Sequence, residues 1–357
     1  MQSHSKINKR DGILACKYIS NPHLINGLKY DLRVYVLVTS FNPLKIYIYQ
    51  DGLVRFATEK YSNDPAQLTK KFIHLTNFSV NKKSSKFVKN VDNRGRGAAS
   101  ASHQAAAANG DDSGGEDGDQ SSKWDFKMLK RAFQKQGSNY DMAMAQTKDI
   151  IIKTLISVEP HIVANLQKNP TNRVNCFEIY GFDVMIDANM KPWVLEVNVL
   201  PSLSSSSPFD KRIKTMLVCD ALTCVGLRGY DKTKFHAQTT DVLGLAPFSP
   251  SMNPQELRER RLTGNEKLSK DELEMIMDLD EEYLRRGQFE RIYPLAPNVN
   301  HYEQFFERTI LCNSLVWSCS VTGKSGLTYE EAVASEQKAK KRISNLNIKR
   351  IFPPEIE

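Results

Sequence analysis

Three residues near the middle of the chain carry the chemistry of a divalent-cation site: Asp183 in "GFDVM", and Glu196 and Asn198 in "KPWVLEVNVLPSL". The latter stretch is an apolar strand with two polar intruders two positions apart. Side chains alternate faces along a strand, so Glu196 and Asn198 share one face while Leu195 and Val197 turn to the core. Asp183 interrupts its own apolar run in the same manner, and a hairpin through "ANMK" brings the three together. Three oxygen donors on rigid strands suit Mg²⁺, a hard cation that takes a few carboxylates and leaves its other positions to water and phosphate oxygens. Taken singly, each of the three also reads as a water-facing position on a half-exposed sheet.

Upstream, "KYDLRVYV" places Lys29, Asp31 and Arg33 on one face and Leu32, Val34 and Val36 on the other, and Arg55 in "GLVRFA" adds a cation within a strand. Such charges pair across strands in many sheets. Cations facing a carboxylate-held metal are also what a polyphosphate site requires.

The elements that must position these groups follow from the hydrophobic pattern. "LRVYVLVTSFNPLKIYIYQDGLVRFAT" (32–58) reads as three strands of an antiparallel meander, with turns at Asn42-Pro43 and at Gln50-Asp51-Gly52. Residues 94–122, small and polar, are expected to form a disordered surface loop. Trp124–Gln136 reads as a helix stopped by Gly137, and Asp141–Val158 as a second helix with Ile151, Leu155 and Val158 at helical spacing. Strands at 176–187 and 192–199 complete a core ending near Gly229. A Pro- and Ser-bearing linker (230–264), a helical extension (265–294) and a further unit (301–344) follow.

Composition narrows the class. The 357 residues are 40% hydrophobic, enough for a real core, and 49 Lys and Arg against 41 Asp and Glu give +8, a balance that favours an acidic partner, protein tail or nucleic acid. Six cysteines without a paired framework read as reduced thiols; Cys16 and Cys176 read as packing residues rather than nucleophiles, and His74 as a structural hydrogen-bonder. No apolar run is long enough to span a bilayer, and the amino terminus has no signal-peptide pattern, so a soluble intracellular protein with no membrane contact is expected.

"KYISNPHLINGLKYDLRVYVLVTSFNPLKIYIYQDGLVRFATEKYS", "FIHLTNFSVNKK", "CFEIYGFDVMID" and "KPWVLEVNVLPSL" occur in this order. Together they resemble the tubulin tyrosine ligase-like family, especially its polyglutamylases, over about 13–229 and more weakly to 294. The resemblance implies an α+β, ATP-grasp-like fold of antiparallel sheets with flanking helices. It implies an ATP- and Mg²⁺-dependent ligase adding free L-glutamate to glutamate side chains of acidic tubulin carboxy-terminal tails, working at the cytoplasmic cytoskeleton or cilium. By residue, it implies that Lys17, Tyr18 and Ile19 line adenine and that Asp183, Glu196 and Asn198 hold the metal. Lys29, Asp31 and Arg33 would surround the phosphates and reacting carboxylate, and Arg55, Thr76 and Asn77 would lie near the incoming amino acid. Arg33, Arg55 and Glu196 are thereby the expected catalytic residues.

The sequence departs from that family in two places. The family's upstream lobe, with its phosphate-binding lysine and a glycine-containing loop over ATP, has no counterpart before the hinge; the expectation is a truncated or fused chain of doubtful activity. Leu200 and Phe78 are smaller departures, in place of a small polar residue and a tyrosine. At the other end, "HYEQFFERTILCNSLVWSCSVTGKSGLTYEEAVASEQKAKK" (301–341) resembles the opening of the WAC domain of chromatin-remodelling subunits, a small, mostly helical appendage associated with DNA binding. Two other readings therefore stand beside the ligase: a nuclear, chromatin-associated DNA binder with an inert ligase region, and a catalytically dead microtubule binder.

Overall fold

The computed structural model describes residues 16–88, 121–168, 176–226, 278–279, 281–295 and 299–307. The chain divides into two units: 1–36, 48–151 and 179–218 form the first, and 37–47, 152–178 and 219–357 the second. The architecture is mixed α+β.

Strands β1 (Leu24–Ile25), β2 (Leu28–Phe41) and β3 (Leu44–Lys60) open the fold, with β2 and β3 joined by Asn42-Pro43. Two short helices follow, α1 (Lys71–His74) and α2 (Phe78–Asn81), then β4 (Lys123–Trp124), α3 (Phe126–Lys135) and α4 (Tyr140–Gln167). Strands β5 (Glu178–Ile186) and β6 (Pro192–Asn198), helix α5 (Pro208–Cys224), β7 (Phe289–Tyr293) and α6 (Val299–Glu303) complete the described elements. The strand order is β4-β3-β2-β5-β6, with β1 on β2 and β7 on β3.

Two strands stand where a three-stranded meander is expected, because Gln50-Asp51-Gly52 is not a turn: β3 runs straight through it. A Cβ on Gly52 would lie 2.4 Å from the Phe126 ring and 2.6 Å from the Arg33 carbonyl oxygen, so glycine serves close approach here rather than chain reversal. Asp51 accepts from the backbone N–H of Gly52 (2.8 Å) and of Phe126 (3.2 Å), fixing the start of α3. Asp125 caps that helix by accepting from the Met128 N–H, and Gly137, at φ +70°, closes it as expected. Trp124, expected to open this helix, instead belongs to β4 and pairs with Val54. Helix α4 is longer than expected and continues through Pro160, because Ile151, Ile152, Leu155 and Ile156 bury one face on the way to it.

The loop expected at 94–122 falls outside the described residues up to 120. Ser121 and Ser122 are ordered, and Ser122 pairs with Val88 through N–H to carbonyl (3.2 Å) and N–H to hydroxyl (3.0 Å) bonds. The stretch expected to be a helical extension contains a strand, β7, at its end, where alternation buries Phe289 and Arg291. The linker expected at 230–264 and all but the start of the 301–344 segment also lie outside the described residues.

In the first unit, Tyr30 meets Phe56 at a tilt and Phe56 meets Trp124 edge to face, while Leu129, Phe133, Phe182, Ile213 and Leu217 are buried. In the second, Leu44, Ile46, Leu155, Leu279 and Ile292 form the apolar interior around a buried salt bridge from Lys45 to Glu282 (2.7 Å), with the Thr39 hydroxyl donating to the other Glu282 oxygen.

Candidate active site

Strand β2 presents Lys29, Asp31, Arg33 and Tyr35 at alternate positions, hence on one face. Of the three residues that also read as water-facing, Asp183 is 2% exposed and the reading fails for it, whereas Glu196 is exposed and Asn198 half-buried. Asp31 is 3% exposed, and the cross-strand pairing expected of the meander charges is present at Asp31, Arg33 and Arg55. Strand pairing extends this into a row across the sheet. Arg55 on β3 donates to Asp31 through Nε (2.9 Å) and Nη2, and reaches Asp183 with Nη2 at 2.8 Å. Arg33 donates to both oxygens of Asp183, Nε at 2.5 Å and Nη2 at 3.1 Å. Asp183 lies opposite Glu196 in the β5–β6 register, and Gly181 opposite Asn198. In the other direction, Lys123 on β4 lies opposite Arg55. The row therefore reads Lys123, Arg55, Asp31 with Arg33, Asp183, Glu196 across β4-β3-β2-β5-β6.

The hairpin that aligns β5 and β6 is tied by Asp187, whose carboxylate accepts from the N–H groups of Asn189 (2.9 Å) and Lys191 (3.0 Å) and from the Trp193 indole (2.9 Å). Burial raises the Asp187 carboxyl, but these bonds, the indole first, outweigh it and hold the pKa below the usual range. One expectation about β6 is overturned. Leu195 and Val197 do not enter the core but are 49% and 37% exposed, because β6 ends the sheet order and nothing among the described residues covers that face.

The three expected metal ligands are brought together on one face. Asn198 donates from Nδ2 to Glu196 Oε1 (3.1 Å) and to the Gly181 carbonyl (3.3 Å). Among the described residues no three His, Cys, Asp or Glu side chains converge as a metal cage. The set is two carboxylates and an amide, all hard donors, which fits Mg²⁺ sharing its remaining positions with phosphate oxygens or water. Asp183 is the constrained member. Burial raises its pKa, but the hydrogen bonds from Arg33 and the charge of Arg55 pull it below the ordinary carboxylate range, so it is held ionised.

The remaining expected residues divide. Tyr18 lies against β2: its hydroxyl accepts from Lys29 Nζ (3.3 Å) and donates to His74 Nδ1 (2.9 Å), while His74 Nε2 donates to the Gln67 carbonyl (3.1 Å). Both imidazole nitrogens are thereby engaged in structure. Thr76 is buried and hydrogen-bonds Asp31. Lys17 is exposed, Ile19 half-buried, and Asn77 exposed at the start of α2, where its carbonyl rather than its side chain makes the cap contacts. Cys16 is exposed rather than packed.

Sequence reasoning missed three charged residues beside the row. Lys123 Nζ donates to Asp210 Oδ2 (2.6 Å) and to the Ser206 hydroxyl (2.9 Å), and lies 4.3 Å over the Phe78 ring. Lys214 Nζ donates to the Ser204 carbonyl (2.5 Å). Asp210 and Lys214 share the buried face of α5 with Ile213, Leu217 and Ala221. A period-3.6 reading of "PFDKRIKTMLVCDALTC" would have exposed them as polar intruders, by the criterion that singled out Glu196.

A model of the tubulin-tyrosine ligase family matches residues 1–113 and 102–233. A second model, of the amino-terminal region of ATP-utilising chromatin assembly and remodelling proteins, matches 298–355. The chain is 35% identical to human tubulin monoglutamylase TTLL4 over 335 residues, covering 87% of this chain and 26% of that protein. It is 33% identical to mouse tubulin polyglutamylase TTLL5 over 377 residues (97% and 26%) and 33% identical to mouse tubulin polyglutamylase TTLL6 over 350 (96% and 38%). The chain thus spans about a quarter to two-fifths of the length of these relatives.

Proposed function

The chain belongs to the tubulin-tyrosine ligase family, and from that membership and the row of charge across the sheet we propose that it is the core of an ATP-dependent ligase. The names of its relatives describe them as tubulin glutamylases, and this chain would add glutamate to glutamate side chains on the acidic carboxy-terminal tails of tubulin. The observation that supports this most is the register that sets Asp183 opposite Glu196 with Arg33 and Arg55 on the same face.

In this reading ATP is the phosphoryl donor to an acceptor carboxylate, and the amine of free glutamate displaces phosphate. Asp183, Glu196 and Asn198 would hold Mg²⁺, which would supply charge neutralisation for the transferring group. Arg33 and Arg55, fixed by Asp183 and Asp31, are pre-aligned donors for the charge that develops there. Lys29, buried beside Tyr18, gives a cation at the nucleotide end of β2, while Lys17, Tyr18 and Ile19 border the base. Thr76 and Asn77 lie on the amino-acid side. The exposed Glu196 is open to a ligand in a way that the paired Asp183 is not.

Incorporation of labelled glutamate into tubulin tests the proposal. The chain with Mg²⁺ and ATP transfers label, and Glu196→Gln lowers transfer by at least a hundredfold, the scale of losing one electrostatic contact to the reacting group. Equal transfer by both refutes the site. A rise in Tm with Mg²⁺ and ATP that is absent in Glu196→Gln supports the metal assignment independently of turnover.

The match of 298–355 to a chromatin-assembly family favours a second reading for that segment alone, a contact with duplex DNA.

A further inference from the structure

A separate polar cluster lies inside the second unit, on residues that the row does not use. Lys45 and the Thr39 hydroxyl take the two oxygens of Glu282, and Arg285 pairs with Glu281 (3.3 Å). Arg286 and Arg291 have no carboxylate partner among the described residues, and both lie over the Tyr283 ring, at 3.9 and 4.7 Å. Arg291 is the enclosed one. It is 2% exposed, its Nη1 donates to the Leu279 carbonyl (3.3 Å), and its Nε and Nη2 are buried without a partner. Those two nitrogens share one edge of the guanidinium plane, so their N–H bonds run side by side as an unused fork. The Tyr47 hydroxyl is another buried donor without a hydrogen-bond partner, and its charged neighbours are Glu282 and Arg291.

Nothing beside Arg291 balances its charge. Burial, and then the charge of Glu282, pushes the Cys224 thiol up to about 12, so the sulfur stays neutral. Burial raises Tyr47 as well, so its hydroxyl keeps the proton and remains a donor. The Tyr283 ring offsets part of the Arg291 charge but leaves Nε and Nη2 without an acceptor. A water molecule accepts from the fork and leaves the charge uncompensated, whereas an anion answers both needs. Because the guanidinium is enclosed, the ligand is small. We propose that Arg291 Nε and Nη2, with the Tyr47 hydroxyl, bind one monatomic inorganic anion, chloride, as part of the folded second unit. None of these residues belongs to the row, and the inference does not rest on the ligase reading.

The test uses the full 357-residue chain. After dialysis into sodium gluconate, whose anion is too large for the site, thermal melts are recorded at constant ionic strength as sodium chloride replaces the gluconate. The Tm of the parent chain rises by about 3 °C and then saturates, and bromide acts in the same way. Arg291→Met removes charge and fork together, so its Tm no longer responds to chloride. Tyr47→Phe loses one donor and needs about tenfold more chloride for the same rise. A second measurement needs no variant: crystals grown in sodium bromide show an anomalous scattering peak within hydrogen-bond reach of Arg291 Nε and Nη2. A parent Tm indifferent to halide overturns the inference, and so does an undiminished response in a folded Arg291→Met chain. Bromide peaks that avoid the Arg291 fork overturn it even where Arg291→Met does not fold, and a response to phosphate or sulfate without one to halide rejects chloride as the ligand.

Discussion

Gly181 shows how little room the charged row has. A Cβ there would lie 2.8 Å from the Pro201 side chain and 3.2 Å from Arg33 Cδ, so the missing side chain is what lets the Arg33 stem cross β5 to its carboxylate. Gly181→Ala is expected to cost about 1–3 kcal/mol of stability, the range for overpacking, and to loosen the Arg33–Asp183 pair; a lowered urea midpoint with a smaller ATP-induced Tm rise is the check. At this scale the sequence was legible wherever a polar residue broke a strand of period two. Asp183, Glu196, Asn198, Asp31 and Arg33 were all found by that signal. Lys123 gives no such signal, because a two-residue strand has no period, and Asp210 and Lys214 lie on a helix, where interruptions follow a period of 3.6 rather than two.

Helix α4 carries a group whose titration belongs to the element rather than the site. Glu159 is buried at the turn before Pro160, with Oε1 unpartnered, and burial followed by the charge of Glu307 raises its pKa to about 7. The folded chain therefore holds this proton more tightly than the unfolded chain, whose value is near 4.3. Its stabilising contribution is complete below the unfolded value and is lost as pH rises through 7. After allowance for solvent screening the swing is about 2 kcal/mol. Thermal melts from pH 4.5 to 8 should show that decline in the parent chain and a flatter profile in Glu159→Gln. Elements themselves were read well by type and poorly by extent. Gly52 is expected in a turn but serves packing, and the helix expected over Asp141–Val158 runs over Tyr140–Gln167, carried onward by its buried isoleucines and leucine.

For the whole molecule, the two family matches predict separable activities. Chain ending at Glu307 keeps the Tyr302–Tyr293 ring contact and the Lys153 contact with Phe305, so its Tm and glutamate transfer should match the full chain. Duplex DNA binding, measured by fluorescence anisotropy at several salt concentrations, should be present in the full chain and lost in the shortened one. DNA binding that survives the truncation would assign it elsewhere. No helix among the described residues is long and apolar enough to cross a membrane.

The interlocked guanidinium and carboxylate pairs have a bearing on how the sheet assembles. Each ties a definite position on one strand to a definite position on its neighbour, and sliding any strand by a single residue would drive Asp31, Asp183 or Arg55 into the oily layer beneath. Misaligned sheets are thus penalised by the very groups proposed to face the phosphates, so a substitution among them would disturb strand alignment together with the proposed chemistry.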